Sequence, residues 1–406
     1  MTATRDRRPE RSAGRARSRR IAALPELGAA AGLLVVALLT LALASGQLPF
    51  LSNGRDDQLD GPIKTPTPSD VIVVDPRTKV PGTITYVKAG NIWTQSGERA
   101  YQLTTGGRDA MPSWSPDGAW IYFIRLTPRF GRILVGGVQR QYDLDVPSVM
   151  RVRSDGDGVP ETLLSGTFER GSTIWSFFIR QPVVSPDDSR LALVSDGPDP
   201  TKSDVVLQYV DLATRSLATA AAPQNKPFGH QDPAWSPDGG SLLYVRNGRD
   251  GSRGAPTLMR LDLATGKSSA MAGPGYVSPA WSPDGRFVAV TSTDGFGTDV
   301  VMLEARTGIE LLRLTSDGRS FSPEWSPAGD AIAYLHIDGG VVDLVLVTVI
   351  GSGPTWTLGE TLPLTAAAGL DPASRPDWHI PAELLPAPTP SPTPSPAASP
   401  SPSAVP

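Results

Sequence analysis

The sequence predicts an all-β protein: a six-bladed β-propeller of four-stranded antiparallel blades, with one transmembrane helix near its N-terminus. Three observations lead to this prediction. The motif Trp-Ser-Pro-Asp-Gly recurs along the 406-residue chain, an apolar run follows each copy, and the two ends of the repeat region each supply part of one blade. The length suits such a ring, because it allows one large domain or two ordinary ones.

The repeated motif marks a tight turn between two strands of each blade. Proline presets the backbone angle of the second turn position, aspartate bonds nearby backbone, and glycine accepts a positive φ at the exit. Six complete, altered or shortened copies occur, and each has a proline two residues before its tryptophan position. The copies are Trp114–Gly118, Val184–Asp188, Trp235–Gly239, Trp281–Gly285, Trp325–Gly329 and the shortened Pro376–Trp378.

Each turn leads into a strand that is apolar on both faces, such as Leu242–Val245 or Phe287–Val290. A strand without polar alternation is covered on both sides. A third strand and a short turn to a fourth follow, as in Leu258–Leu261 ahead of Asp262–Gly266. Units of about 45–50 residues with four strands match a propeller blade, and radial stacking covers both faces of every sheet.

The first and last units complete one another. Gly82–Tyr86, Asn91–Thr94 and Ala100–Thr104 provide three strands without a tryptophan strand before them. Pro376–Trp378 provides a tryptophan strand with no strand after it. We therefore expect the C-terminal strand to pair with the N-terminal one, which closes a ring of six blades between residues 81 and 383.

The Pro-x-Trp-Ser-Pro-Asp-Gly repeats resemble those of the TolB-like, WD40-like β-propeller family, over about three quarters of the chain. TolB is a periplasmic protein-binding propeller, and related propellers precede hydrolase domains in prolyl-oligopeptidase-like enzymes. The resemblance implies a protein- or peptide-binding or scaffolding module of the cell envelope. The repeated tryptophans are then interpreted as packing between blades and not as a ligand cage.

The first 51 residues have the composition of a membrane anchor. Residues 1–20 carry eight arginines against two acidic residues, and the span 21–51 contains an uncharged apolar stretch from Leu27 to Leu51. About 20 apolar residues cross a bilayer, and flanking arginines stay in the cytoplasm. We expect a single-pass protein of the bacterial cell membrane, with residues 1–20 cytoplasmic and the propeller extracytoplasmic. Cleavage of a signal peptide after Ala44 is the alternative.

Four further segments flank or interrupt the predicted ring. Residues 52–80 are polar and contain several prolines, as in a linker. Thr127–Asp145 enlarges the second blade between its second and third strands. Thr167–Arg180 holds an aromatic run, part of which starts the next blade, and any remainder would be an exposed contact surface. Residues 384–406, rich in Pro, Ser and Thr, predict a disordered tail.

Neither a catalytic nor a metal-binding motif is found, and no cofactor is indicated. The chain has no cysteine and only three histidines, which lie far apart in the sequence. These counts exclude a thiol nucleophile and cysteine metal sites. A Gly-x-Ser-x-Gly nucleophile elbow is also absent from the sequence. The net charge of −4 gives no reason to expect a nucleic-acid partner.

If the tryptophan strands are innermost, the residues before each repeated proline lie at one mouth of the central channel, where convergent polar groups form a default binding site. The polar residues at these positions are Arg180, Gln181, His230, Gln231, Asp232 and Arg375. We expect them to bind an envelope protein or peptide. The alternatives are a hydrolase or lyase with its acid and base in the funnel, a ligand sensor, and solvated residues that only cap strand ends.

Overall fold

The structure, a computed structural model, describes residues 72–73, 80–97, 99–220, 229–247, 255–293, 297–352 and 355–385. They form a six-bladed propeller of antiparallel sheets, as predicted. The predicted basic segment 1–20, the anchor 21–51, most of the linker 52–80 and nearly all of the tail 384–406 lie outside the described residues. Within the described ranges, no helix has the length and apolar character to cross a membrane.

Blade 1 combines both ends of the described chain. Its strands are β1 (Ile72–Val73), β2 (Thr83–Lys88), β3 (Asn91–Ser96), β4 (Arg99–Gln102) and β27 (Asp377–His379). β27 pairs antiparallel with β2, and Trp378 lies opposite Ile84. The predicted closure of the ring is therefore confirmed. β1, which falls within the predicted linker, pairs with β4 and extends the sheet outward.

Blade 2 is enlarged by a long hairpin. Its strands are β5 (Asp109–Trp114), β6 (Trp120–Val135), β7 (Val138–Arg153), β8 (Glu161–Ser165), β9 (Thr167–Arg170) and β10 (Thr173–Ser176). The predicted insertion does not interrupt the sheet, because β6 and β7 stay paired through it as far as Val135 and Val138. β9 and β10 form a second hairpin, and β10 pairs with β6 through Ile174 and Arg132.

The other blades follow one four-stranded plan, with the tryptophan-position strand at the inner edge of each sheet. Blade 3 contains β11 (Ile179–Val184), β12 (Arg190–Ser195), β13 (Val206–Asp211) and β14 (Leu217–Thr219). Blade 4 contains β15 (His230–Trp235), β16 (Ser241–Arg246), β17 (Thr257–Asp262) and β18 (Lys267–Pro274). Blade 5 contains β19 (Tyr276–Trp281), β20 (Phe287–Ser292), β21 (Asp299–Glu304) and β22 (Glu310–Arg313). Blade 6 contains β23 (Ser320–Trp325), β24 (Ala331–Asp338), β25 (Val341–Ser352) and β26 (Thr355–Pro363), and a 3₁₀ turn, Ala382–Leu384, follows β27.

The core lies between neighbouring blades. Every residue of β20 is buried, as expected for a strand covered on both faces. Leu243 of blade 4 and Val288 of blade 5 belong to one buried apolar cluster. Ile84 of blade 1 and Leu335 of blade 6 belong to another, which spans the closure of the ring. Because each sheet is covered by its neighbours, the blades form one continuous ring of packed sheets.

The repeated motif acts as a hydrogen-bonded turn. In blade 4, the Ser236 hydroxyl donates to Asp238 Oδ1 over 2.6 Å and accepts the Ser241 N–H over 2.9 Å. Gly239 takes a φ of +68°, which favours glycine. The same serine–aspartate bond recurs at Ser282 and Asp284 over 2.6 Å. The serine, aspartate and glycine of the motif therefore have a structural role in the turn.

Candidate binding site in the central channel

The six inner strands, one from each blade, surround the channel and contact one another in sequence around it. The residue that follows each repeated proline lines one cavity of about 250 Å³. We call these six residues the channel ring. They are Ser113, Val183, Ala234, Ala280, Glu324 and Asp377. The ring is thus small or apolar in four blades and carboxylate-bearing in two adjacent ones, blades 6 and 1.

One arginine lies between the two carboxylates of the ring. The Arg375 Nε atom lies 3.6 Å from Glu324 Oε2, and its Nη1 donates to the Pro279 carbonyl over 2.7 Å. Asp377 Oδ2 accepts the Trp114 N–H over 2.7 Å, and Oδ1 accepts the Trp378 N–H over 2.8 Å. We call Glu324, Arg375 and Asp377 the charged cluster. It reaches across the channel from blades 6 and 1 to blade 5.

The charged cluster lies in a poorly solvated place. The Glu324 side chain keeps only 18% of its surface exposed, and it lines the channel cavity. Burial raises the pKa of Glu324 to about 8, Asp377 adds to this rise, and the Arg375 charge opposes it. Burial likewise raises the pKa of Asp377, against the bond from the Trp114 N–H. The cavity therefore holds two carboxyl groups that resist ionisation, which is typical of sites prepared for a partner.

The repeated tryptophans differ in what their indole N–H groups contact. Trp235 donates to the Val183 carbonyl over 3.1 Å, and Trp281 donates to the Ala234 carbonyl over 3.2 Å. Each bond joins one blade to the channel-ring residue of the preceding blade. The indole N–H groups of Trp114 and Trp325 are buried and have no hydrogen-bond partner among the described residues. The indole bonds between inner strands are therefore confined to blades 3–5.

A strained residue recurs at the predicted mouth, directly before the repeated proline. Five non-glycine residues there have φ between 51° and 57°: Met111, Gln181, Asp232, Ser278 and Ser322. Each coincides with a β-bulge in the inner strand, as between Gln231 and Ala234. Such conformations cost roughly 1–3 kcal/mol each and persist where surrounding contacts hold them. Arg375, the equivalent residue of blade 1, does not adopt a positive φ.

Four of the five strained residues, Met111, Gln181, Asp232 and Ser278, are joined to one another around the mouth. The N–H of Gln181 donates to Met111 Sδ over 3.2 Å, and the N–H of Asp232 donates to Gln181 Oε1 over 2.9 Å. The N–H of Ser278 donates to Asp232 Oδ2 over 2.9 Å, and the amide of Gln181 donates to Asp232 Oδ1. Each side chain thus binds the backbone of the next blade. We call this series the mouth chain.

The structure separates the six predicted mouth residues into groups. Gln181 and Asp232 belong to the mouth chain, so their polar atoms already have protein partners. Arg375 belongs to the charged cluster, deeper in the channel. Arg180 is half-buried, and burial lowers its pKa against the nearby charges of Asp232 and Asp371. Gln231 is also half-buried, at the register position opposite Val245.

His230 differs from its expected place, because its side chain lies inside the blade and not at the mouth. It is 3% exposed, its Nδ1 accepts the Leu207 N–H over 3.0 Å, and its ring lies 4.6 Å from that of Tyr244. Burial lowers its pKa to about 4. The side chain alternates with Gln231 along the strand, so the two cannot share one face. Its neutral ring fills a core position.

Glu324 and Asp377 are not among the residues that the sequence predicts for the site. Their signal was present, since both follow a repeated proline at a position where Ala234 and Ala280 stand in other copies. Aligning the copies would have shown two carboxylates in otherwise small or apolar positions. Among the described residues, no three His, Asp or Glu side chains are grouped so as to hold a metal ion.

Comparison with known proteins supports the class of fold defined by this ring, the TolB-type β-propeller. The structure is similar to TolB from Acinetobacter baumannii, with a TM-score of 0.51 and 20% identity, over 73% of this chain and 66% of that one. It is also similar to a putative TolB from Agrobacterium tumefaciens, with a TM-score of 0.50 and 15% identity, over 74% of this chain and 94% of that one. The predicted resemblance is thus confirmed at the level of fold.

At the level of sequence, the chain is 31% identical over 154 residues to an uncharacterized protein of Agrobacterium fabrum. The match covers 36% of this chain and 42% of that protein, so the chain spans less than half of this relative. No protein-family profile matches the chain.

Proposed function

We propose that this protein is a membrane-anchored, extracytoplasmic β-propeller that binds an envelope protein or peptide in its central channel. One observation carries the proposal: the charged cluster Glu324, Arg375 and Asp377 occupies a channel otherwise lined mainly by small, apolar and tryptophan side chains. A cavity with a few convergent polar groups in apolar walls is a default binding site. The likeness to TolB propellers supports the class of partner.

The size of the cavity favours a side chain of a protein partner over a free drug-sized molecule. Its volume of about 250 Å³ is below the ~300–1,000 Å³ of typical small-molecule sites. An inserted side chain would present hydrogen-bond donors or a positive charge to the carboxyl groups of Glu324 and Asp377.

The predicted mouth residues fit this proposal in different ways. Arg375, which lines the cavity, would contact the partner in the channel, whereas Arg180 and Gln231, which do not line it, would contact a part of the partner that lies at the mouth. Gln181 and Asp232 would stabilise the inner strands through the mouth chain without contacting the partner, and His230 would support strand β15 from within the blade. The hydrolase or lyase alternative gains no support from His230 and Asp232, because the His230 ring binds the backbone of Leu207.

The membrane part of the proposal rests on sequence composition. Residues 21–51 would anchor the propeller, residues 1–20 would stay in the cytoplasm, and residues 52–80 would hold the ring outside the membrane. Residues 384–406 would extend from the propeller as a disordered tail. N-terminal sequencing of the mature protein would distinguish a retained anchor from cleavage after Ala44.

The test is a capture experiment with the full chain in detergent-solubilised envelope extract. The wild type should retain a specific partner, and the double variant Glu324→Gln/Arg375→Met should lose most of it. Arg306→Gln serves as the matched control, because the Arg306 side chain is 82% exposed and lies outside the channel. Equal capture by the double variant, with its fold verified by circular dichroism, would contradict channel binding.

A further inference from the structure

The hairpin of blade 2 carries apolar side chains at its tip that nothing in the described structure covers. We call Thr127–Val135 of β6 and Val138–Asp145 of β7 the arm. Near its tip, Leu134 is 63% exposed and Val138 is 61% exposed. The arm continues β6 beyond Arg125, which pairs with Asp109 at the start of the inner strand. It therefore leaves the blade at the mouth end of the channel.

Each face of the tip carries an apolar side chain. Val135 lies opposite Val138 in the ladder, so these two side chains share one face. Leu134 points to the other face, because neighbouring side chains of a strand alternate, and Gln139 lies opposite it there. A flat protein surface would cover only one of these faces. A surrounding apolar medium covers both.

Arginines lie at a fixed distance behind the tip on each face. Arg132 is two residues behind Leu134 on one strand, and Arg140 is two residues behind Val138 on the other. Both arginines are exposed, and no ion pair to either is present in the part of the chain that the structure describes. Two residues of a strand span about 7 Å. The 14 residues 129–142 contain three arginines and no acidic residue, and the two aspartates of the arm, Asp143 and Asp145, lie at its base, where Asp145 pairs with Arg108.

This spacing matches the interface of a phospholipid bilayer. Apolar groups of interfacial segments enter about 5–10 Å into the headgroup and acyl boundary, and basic side chains remain at the level of the phosphates. Tyr142 and Phe130, which are 38% and 65% exposed, lie near the level of the arginines, where aromatic rings are frequent in membrane interfaces.

The arm is built to hold its shape during insertion. The turn at its end consists of Gly136 and Gly137, with φ of +60° and +79°, which a tight two-residue hairpin turn requires. β10 pairs with its edge near Arg132, and the Gln139 amide donates to the Ser172 carbonyl over 3.3 Å. Tyr142 contacts Trp175 edge to face, with ring centroids 5.7 Å apart. The tip is therefore presented on a four-stranded support.

We propose that the tip of the arm inserts into the headgroup region of an anionic phospholipid membrane. Leu134, Val135 and Val138 enter the apolar boundary, and Arg132 and Arg140 bind lipid phosphates. This contact involves neither the channel-ring residues nor the N-terminal anchor. It turns the mouth toward the membrane, whereas the turn residues Pro116 and Pro237 line the cavity of the charged cluster at the opposite end.

Vesicle binding by residues 72–385 tests the proposal, since this region closes its own ring and core and lacks the apolar N-terminal stretch. The probe is vesicles of equal parts phosphatidylglycerol and phosphatidylcholine, compared with pure phosphatidylcholine. Wild-type protein should float with the anionic vesicles. Arg132→Gln/Arg140→Gln should lower partition roughly 30-fold, from about 1 kcal/mol for each charge. Leu134→Ser/Val138→Ser should lower it roughly tenfold or more.

A dye on a single cysteine reports insertion directly, because the chain has no natural cysteine. An environment-sensitive dye at Val138→Cys should shift to the blue with anionic vesicles. The same dye at Ile309→Cys, a 60% exposed position in blade 5, should not shift. No flotation of the wild type, or a shift that depends on protein concentration without lipid, would overturn the proposal, and the latter would identify a second copy of this chain as the occupant.

Discussion

Two sides of the ring are built differently around the same repeated proline. One side consists of blades 3–5, and we call it the indole-bonded side. Its channel-ring residues are small or apolar, and Trp235 and Trp281 donate their indole N–H groups to the preceding blade. On the charged side, blades 6 and 1, Glu324 and Asp377 take the ring position. The Trp325 indole N–H there has no partner among the described residues.

This difference separates scaffold from site. Where the channel-ring residue is small or apolar, in blades 3–5, the indole N–H groups of Trp235 and Trp281 bond blade to blade and the ring offers few polar groups to a ligand. Where a carboxylate takes the ring position, in blades 6 and 1, buried carboxyl groups line the cavity. A repeat protein can hold such costly groups because the rest of the ring supplies the packing.

The largest expected effect concerns the strand that closes the ring. Trp378→Ala should lower the free energy of unfolding by roughly 3–5 kcal/mol, because it empties a buried aromatic site and removes the bond to the Pro81 carbonyl. Trp235→Ala should lower the free energy of unfolding by less, because blade 4 is made from continuous chain. Blade 1, in contrast, is closed by β27, which is only three residues long. Chemical denaturation measures both, and equal or reversed losses would show that closure is no weaker than the other blade contacts.

The pH dependence of stability distinguishes the charged side from the indole-bonded side. Burial raises the pKa of Glu324 to about 8 from the value of about 4.3 expected when unfolded. The folded state therefore binds this proton more tightly than the unfolded state does. The stabilisation that results is fully present below about pH 4.3 and is lost as the pH rises toward 8. The Glu324→Gln variant should not show this loss. At pH 9 its free energy of unfolding should exceed that of the wild type by on the order of 3 kcal/mol.

Only the difference between the two Glu324 forms is informative, because other groups titrate as well. Burial raises the pKa of Asp377 in the same direction, whereas burial lowers the pKa of His379, which also lines the cavity. Both groups remain in the variant. Thermal unfolding from pH 4 to 9 gives stability as a function of pH for the wild type and for Glu324→Gln. Parallel curves would show that ionising Glu324 does not lower the stability of the folded state.

The mouth chain provides the next effect. Asp232→Ala removes the acceptor of the Gln181 amide and of the Ser278 N–H, which should cost about 2 kcal/mol of stability. Asp232→Asn, which keeps one acceptor oxygen, should cost less. Partner capture measured on the same samples should be retained. Loss of capture at unchanged stability would instead assign Asp232 to the binding surface.

The smallest effect tests the indole bonds. Trp235→Phe removes a donor that has a partner, whereas Trp325→Phe removes a buried donor that has none. Both substitutions remove a similar side-chain volume. Trp235→Phe should therefore lower the free energy of unfolding by about 1 kcal/mol more than Trp325→Phe. Denaturant midpoints at constant slope measure the difference. A larger loss for Trp325→Phe would show that its N–H is bonded in solution.

The sequence predicted the ring because repeated turns, doubly apolar strands and complementary chain ends are all local patterns. It also predicted that Trp378 would lie beside the strand near Tyr86. It did not predict that Thr127–Asp145 prolongs a hairpin, since alternating polar and apolar residues at an exposed tip resemble an irregular insertion. Of the aromatic run after Thr167, only Ile179 belongs to the next inner strand.

The site was harder to predict than the fold. The position of the mouth followed from strand order, but side-chain direction depends on the bulge at residues such as Gln181 and Asp232, which has no simple sequence signature. His230 was expected at the mouth because it precedes the repeated Pro233, although its register directs its side chain into the blade. Glu324 and Asp377 lie about 50 residues apart in the sequence, and only the closed ring places both of them in one cavity with Arg375.

The most direct measurement of channel binding is site-specific cross-linking. Val183→Cys places a single thiol in the channel ring, opposite the charged side, and Ile309→Cys places one on the outer surface. Each is coupled to a benzophenone reagent and irradiated in envelope extract. The account predicts an adduct with one envelope protein from Val183→Cys and none from Ile309→Cys. The reverse pattern, or equal adducts from both, would contradict binding in the channel.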